Sequence, residues 1–219
     1  MLARGTRPDL IFSHVEMSTK FGRSKVKDLM QVSKIVRKVK DSDCFYTIRS
    51  LGSVQDWFIE VSTDASLSNL NDGVDSTGAH LILVRNKGDD CAPIIWHASK
   101  IKRIVGSTLE VETLALVEGL KEAIYLREVI EEIFGLKEQT LDIRALVDSK
   151  STVDAVHSTT LVQDRRLRRD IAIVKQMLNK KEVTSVEWCP GTEQLADGMT
   201  KRTSPCYGLR EVFQQGKRI

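Results

Sequence analysis

The 219-residue sequence lacks the features that would place a protein in a membrane, outside the cell or on a repeat scaffold. No run approaches the roughly 18 consecutive apolar residues of a membrane span, and the opening Met-Leu-Ala-Arg-Gly-Thr-Arg-Pro has no apolar core of signal-peptide length. An intracellular, soluble protein without a membrane partner is therefore expected. The four cysteines, Cys44, Cys91, Cys189 and Cys206, form no Cys-x-x-Cys pair, which argues against a zinc site and a dense disulfide framework. An excess of one charge is missing too: the formal net charge is +3, so a nucleic-acid footprint would have to come from local clustering. There is no internal repeat and no low-complexity tract. What the chain has is the ordinary balance of a globular protein, 41% hydrophobic and 29% charged. Its length holds one domain of about 150 residues plus an appendage, but not two enzymes.

Thr6 before Arg7-Pro8 supplies a capping residue and an early proline, predicting a short helix to about Ser18 through Leu10, Ile11, Phe12 and Val15. After Phe21-Gly22-Arg23, Ser24 is placed to cap a second helix, in which Val26, Leu29, Met30, Ile35, Val36 and Val39 recur at helical spacing. Asp41 to Gln55, containing Leu51-Gly52-Ser53, reads as a boundary. From Trp57 the pattern changes to short β-branched and aromatic runs at 57–62, 79–84 and 93–96, which predict three antiparallel strands with core tryptophans Trp57, Trp96 and Trp188. Ser107 opens a long helix to about Phe134, with Gly135 as its stop. A strand over 141–147, helices over 149–157 and 163–179, a strand over 183–188 and a helix from Glu193 complete the chain. Strands first, then alternating helix and strand, give an α/β fold: a mixed five-stranded sheet flanked by helices, with a short N-terminal helical segment. The divisions expected are a helical segment at 1–42, a linker at 43–55, the α/β domain at 56–204 and a tail at 205–219.

This layout brings four carboxylates towards one rim. Asp64 ends the first predicted strand and Asp148 the fourth. Glu112 lies in the first turns of the long helix, and Asp197 begins the last one. Clustered carboxylates repel by about 4 kcal/mol per pair at 4 Å in an effective dielectric near 20, and a divalent cation reverses that cost. Magnesium takes oxygen ligands, and two ions about 4 Å apart suit phosphodiester hydrolysis. Each residue also has a plain alternative. A strand-terminal Asp is commonly a turn or helix cap, and Asp197 fits the first turn of a helix by its charge alone. Ser107-x-x-Glu110 forms a capping box, which gives Glu110 a structural role and leaves Glu112 without one. His97, alternating along its strand, reads as structural.

Taken in order, the motifs resemble the ribonuclease H domain of copia-type retrotransposon Pol polyproteins. Thr63-Asp64-Ala65-Ser66 through Gly73, followed by Gly78-Ala79-His80-Leu81-Ile82, is similar to that family's first catalytic strand, loop and second strand. Ile95-Trp96-His97-Ala98-Ser99-Lys100 and Ser107-Thr108-Leu109-Glu110-Val111-Glu112-Thr113-Leu114-Ala115-Leu116 resemble its third strand and catalytic helix, with the catalytic position on Glu112. Leu146-Val147-Asp148-Ser149 takes the place of the third carboxylate. Gln194-Leu195-Ala196-Asp197-Gly198-Met199-Thr200-Lys201 is the most specific match. The resemblance spans about 57–204, and residues 3–40 look like the helical tail of the same polyprotein's reverse transcriptase. Two departures stand out: residues 189–196 contain no histidine, and the chain has no Tyr-x-Asp-Asp polymerase motif.

The resemblance implies a ribonuclease H-like fold and hydrolysis of the RNA strand of an RNA–DNA hybrid. It implies two Mg²⁺ ions, with Mn²⁺ as an alternative, held by Asp64, Glu112, Asp148 and Asp197, with Asp64 bridging them. The reverse transcriptase portion of the polyprotein is the implied partner, and the cytoplasm, in a retroelement particle, or the nucleus the implied location. Candidate phosphate contacts are Lys100, Lys102 and Arg103 before the long helix, and Arg165, Arg168 and Arg169 on one face of a later helix; a solvated face partly neutralised by Asp164 and Asp170 is the plain alternative. An integrase or transposase would run Asp, Asp, Glu, whereas the order here is Asp, Glu, Asp, Asp. A catalytically inactive or co-opted fragment, serving as a nucleic-acid-binding or scaffold module, is the other reading.

Overall fold

Alternating apolar residues start the first strand, but backbone pairing carries it well past them. In the computed structural model, which describes residues 2–41, 46–202 and 207–218, β1 (Phe58–Leu70) pairs antiparallel with β2 (Asp75–Arg85), and β2 with β3 (Cys91–Lys100). These strands outrun the predicted 57–62, 79–84 and 93–96, because a hydrogen-bonded ladder does not require apolar side chains on every residue. Asn71, Asp72 and Gly73 turn the first hairpin with φ of 51°, 58° and 90°, a left-handed run that Asn, Asp and Gly tolerate best. On the other side of β1, β4 (Asp142–Val147) runs parallel to it and β5 (Ser185–Trp188) parallel to β4. Among the described residues the strand order is β3-β2-β1-β4-β5. Three antiparallel strands continued by two parallel ones, flanked by helices, make the mixed ribonuclease H-like sheet that the motifs imply.

Helices cover both faces. α4 (Thr108–Phe134) is capped by the Ser107 hydroxyl, which accepts from the Glu110 amide at 3.2 Å, and it ends at Gly135 with φ 62°. The Glu110 carboxylate accepts from the Gly106 amide at 2.9 Å, one residue before the position a standard capping box uses. α4 lays Leu116, Leu120 and Ala123 on Ile59, Val61, Ile82 and Ile143, and the same cluster takes in Val156 of α5 (Lys150–His157) and Val174 of α6 (Arg165–Asn179). The opposite face buries Leu81, Leu83 and Ala98 against N-terminal and C-terminal segments.

Those segments depart from expectation in instructive ways. The first predicted helix is divided into α1 (Leu2–Gly5), a 3-10 turn (Pro8–Leu10) and α2 (Ile11–Ser18). Pro8 starts the tight turn, and Thr6 is not its cap. α3 (Val26–Lys40) is capped by Asp28 Oδ2, which accepts from the Lys25 amide at 2.8 Å, while the Ser24 hydroxyl donates to the Lys20 carbonyl at 3.0 Å. Of the apolar residues of α3, Ile35 and Val39 pack on the core, while Val26, Leu29, Met30 and Val36 are exposed.

The expected linker is pinned rather than free where it can be described: the Thr47 amide donates to the Phe213 carbonyl at 2.9 Å, and the Trp57 indole to the Leu51 carbonyl at 3.1 Å. Its residues 43–45 lie outside the described ones, as do 1 and 42 of the helical segment, 203–204 of the α/β domain, and 205, 206 and 219 of the tail. The helix expected from Glu193 is broken into a 3-10 turn (Gly191–Glu193), extended Gln194 and α7 (Asp197–Thr200). The tail contains an unexpected helix, α8 (Tyr207–Gln215), which buries Leu209, Val212 and Phe213. Past it, Arg218 reaches the buried Glu60 of β1 at 2.9 Å, where Arg85 also binds at 2.5 Å. Of the tryptophans, Trp57 and Trp96 are partly buried against the core clusters, whereas Trp188, at the end of edge strand β5, is 49% exposed.

The tightest helix-to-sheet approach is at Gly119, where an added Cβ would lie 2.8 Å from Thr63 Cγ2 and 3.1 Å from His80 Cβ. Gly119→Ala is expected to destabilise the protein by about 1–3 kcal/mol through overpacking, although alanine is the better helix former. Urea unfolding with the midpoint read by circular dichroism checks this.

Candidate metal centre

The parallel ladder between β1 and β4 ends at Thr63 opposite Val147, so Asp64 and Asp148 are the next residues on two neighbouring strands. Asp64 is therefore inside β1, whose pairing with β2 continues, rather than at its end. Asp148 leaves β4 just before Ser149 caps α5 by accepting from the Thr152 amide. Glu112 projects from the first turns of α4. One oxygen of each of Asp64, Glu112 and Asp148 lies within 4.8 Å of the other two. Asp197 begins α7 at the same corner but does not belong to this trio, and its Oδ1 accepts a hydrogen bond from Lys201 Nζ.

α7 closes over Asp64. The Thr200 hydroxyl donates to Asp64 Oδ2, and Lys201 Nζ stands 3.7 Å from Asp64 Oδ1. The extended Gln194 explains why an amide precedes this helix. Its Nε2 donates to the carbonyls of Thr63, at 3.0 Å, and Leu146, at 3.3 Å, clasping β1 and β4 where their ladder ends, while its Oε1 accepts from the Ala196 amide at 3.2 Å.

The electrostatics are those of charges brought together out of water. Burial, then the Asp64 and Asp148 charges, push Glu112 up to about 9, against a hydrogen bond from the Ala65 amide. Burial likewise raises Asp64 to about 6, opposed by Thr200 and Lys201, and lifts Asp148 above the usual carboxylate range. Burial alone would lower Lys201, but the hydrogen bond to Asp197 and the surrounding carboxylates outweigh it and hold the ammonium above its ordinary value. Glu112 Oε2 is buried without a hydrogen-bond partner. An orphaned carboxylate oxygen beside two others is a donor set of hard oxygens, and it fits a divalent cation such as magnesium or manganese.

The basic residues divide into two groups. Arg103 bridges Asp170 of α6 at 2.6 Å and Glu110 at 3.2 Å, tying α6 to the start of α4. Lys100 pairs with Asp75 at 2.8 Å, and Arg168 donates to the Val162 and Gln163 carbonyls at 2.7 and 3.1 Å. Asp164 caps α6. Lys102, Arg165 and Arg169 face solvent. His97 stacks on His80 at 5.5 Å and is not among the clustered ligands. Trp188, which pattern alone places in the core, lies beside the centre: its indole donates to the Asp148 carbonyl at 3.0 Å, and Lys150 Nζ sits 5.9 Å over its ring. Its position after Val186-Glu187, one residue before Cys189-Pro190, marks it in the sequence as the end of an edge strand.

No protein-family model matches the chain, and no curated protein matches it. Among solved structures it is similar to ribonuclease H1 from the halophilic archaeon Halobacterium salinarum at 17% identity, covering 62% of this chain and 88% of that one, with a TM-score of 0.42. It is also similar to LC11 ribonuclease H1 in complex with an RNA/DNA hybrid, at 14% identity and a TM-score of 0.43, covering 62% and 88%. The protease-reverse transcriptase of prototype foamy virus matches at 8% identity and a TM-score of 0.45, over 80% of this chain and 22% of that one. These neighbours include ribonuclease H proteins and a retroviral reverse transcriptase. With TM-scores below 0.5, the fold assignment rests on the strand order and directions.

Glu112 and Asp64 hold protons in the folded state that the unfolded chain releases, so the metal-free protein binds more protons folded than unfolded. Stability therefore falls as pH rises, from about 4 to 6 through Asp64 and on towards 9 through Glu112. Glu112→Gln is expected to flatten that slope and to stabilise the chelated protein at pH 8 by on the order of 2 kcal/mol. Thermal unfolding in EDTA across pH 5 to 9 is the check.

Proposed function

We propose that this chain is a metal-dependent ribonuclease H that hydrolyses the RNA strand of RNA–DNA hybrids, and that it forms part of a copia-type retrotransposon Pol polyprotein. The observation that carries the reading is the convergence of Asp64, Glu112 and Asp148 on one point at the end of a mixed sheet of ribonuclease H-like topology. Neither a turn nor a helix cap calls for two buried acids and a half-buried third to meet. Magnesium or manganese is the cofactor, and when bound it supplies Lewis-acid polarisation of the phosphate and activation of water.

The chain's own residues do the rest. Asp64, Glu112 and Asp148 would hold the cation, and burial raises all three, Glu112 the furthest, so that holding it would favour their ionised forms. Thr200 and Gln194 fix the position of Asp64 and of the strands that carry it and Asp148. With residues 189–196 lacking histidine, no imidazole from that segment serves proton transfer. The solvent-facing Lys102, Arg165 and Arg169 are the basic candidates left to meet the hybrid's phosphates. Residues 56–204 are the nuclease domain in this reading, 1–42 the end of the polymerase region, 43–55 the join and 205–219 a C-terminal extension. The exposed Val26, Leu29, Met30 and Val36 of α3 give the polymerase portion an apolar surface to contact. The two-ion arrangement implied by the resemblance would require Asp197 to turn towards the trio and away from Lys201.

Incubating the purified chain with a labelled RNA–DNA hybrid in magnesium or manganese, beside duplex DNA, duplex RNA and single-stranded RNA, tests the proposal. Hybrid-selective cutting, abolished by EDTA and reduced by roughly a hundredfold or more in Asp148→Asn, is expected. A folded chain that binds hybrid but never cuts it would sink the enzymatic reading and leave a co-opted binding module.

A further inference from the structure

Lys201 is the one cation bonded directly to the acidic corner among the described ion pairs, and its position bears on how many metal ions the centre takes. Two ions would need one carboxylate to bridge them and a fourth to complete the second. On Asp64, Oδ2 accepts from Thr200 and Oδ1 stands 3.7 Å from the Lys201 ammonium, so an ion bridged by Asp64 would have to share those oxygens with both. The fourth carboxylate, Asp197, is itself bonded to that ammonium. The Asp64, Glu112 and Asp148 trio remains for a single ion.

Charge points the same way. Four ionised carboxylates carry −4, and one divalent ion with one ammonium brings the corner to −1. A second divalent ion would enter against a positive charge already seated between Asp64 and Asp197. Lys201 follows the last residue of α7 with extended backbone, and its side chain turns back to Asp197 four residues earlier.

We propose that the Lys201 ammonium takes the place of a second metal ion, making this a one-metal centre with a tethered cation on its Asp64–Asp197 flank. This rests on the metal-dependent reading above and narrows it. An ammonium does not act as a Lewis acid; it supplies a fixed positive charge and up to three hydrogen bonds, which suit a phosphate oxygen gaining charge. Lys201 is thus a positioning and charge-balancing residue of the centre.

Titrating the full chain with Mn²⁺, with free ion read by electron paramagnetic resonance, tests this without reference to turnover. One tight equivalent is expected for the wild type and for Lys201→Arg, which keeps the charge. Lys201→Met is expected to bind a second equivalent at least roughly tenfold more tightly than the wild type does, and Lys201→Met with Asp197→Asn to lose it again. Lys201→Gln carries the same expectation should Lys201→Met fail to fold, as judged by circular dichroism. Two equivalents of similar affinity in the wild type, or one in every folded variant, would overturn the tethered-cation proposal and leave the metal centre standing. No binding by any variant would overturn both.

Discussion

Mutual repulsion among buried acids is the constraint around which this corner of the molecule is built. Asp64, Glu112 and Asp148 come from a strand interior, a helix start and a strand end, and each is held by something that cannot easily give way. The β1–β4 ladder sets the spacing of the two aspartates. The close seat of α4 on the sheet at Gly119 sets the reach of Glu112. Such a trio favours protonation or spreading, and burial together with the Asp64 and Asp148 charges pushes Glu112 furthest, up to about 9, while Lys201 lowers Asp64.

The devices that hold the corner are mostly neutral. Gln194 joins two strands through one amide, and Thr200 places a hydroxyl on Asp64. Both belong to the Gln-Leu-Ala-Asp-x-x-Thr-Lys segment, which on this view is a clasp as much as a source of a ligand. Its apolar members do the matching work underneath: Leu195 and Met199 are buried in the cluster that α2 and α8 complete. One short segment thus joins the chemistry at the rim to the packing of a whole face.

Much of this was legible in the sequence, because the signals were local. Gly135 and Ser107 bound α4 as glycine and serine do at helix ends, and Asp64 and Asp148 lie beside β-branched runs. Where the pattern misled, partners distant in sequence decided. Arg103 reads as a free cation until Asp170, 67 residues on, pairs with it. β1 continues beyond its apolar run because β2 goes on pairing with it, which no periodicity within β1 reveals. α8 had a signal that the reading of 205–219 as a tail passed over, since Leu209, Val212 and Phe213 recur at helical spacing.

The Arg85–Glu60–Arg218 contact joins residues far apart in the chain, Glu60 and Arg218 being 158 positions apart. During synthesis β1 and β2 follow α1 to α3, and Glu60 has Arg85 alone until Arg218 is made. The face of the sheet that buries Leu81 and Leu83 is likewise covered from both directions, by Ile11, Phe12 and Val15 of α2 and by Leu209, Val212 and Phe213 of α8, so in vectorial folding its packing is completed only once α8 has left the exit tunnel.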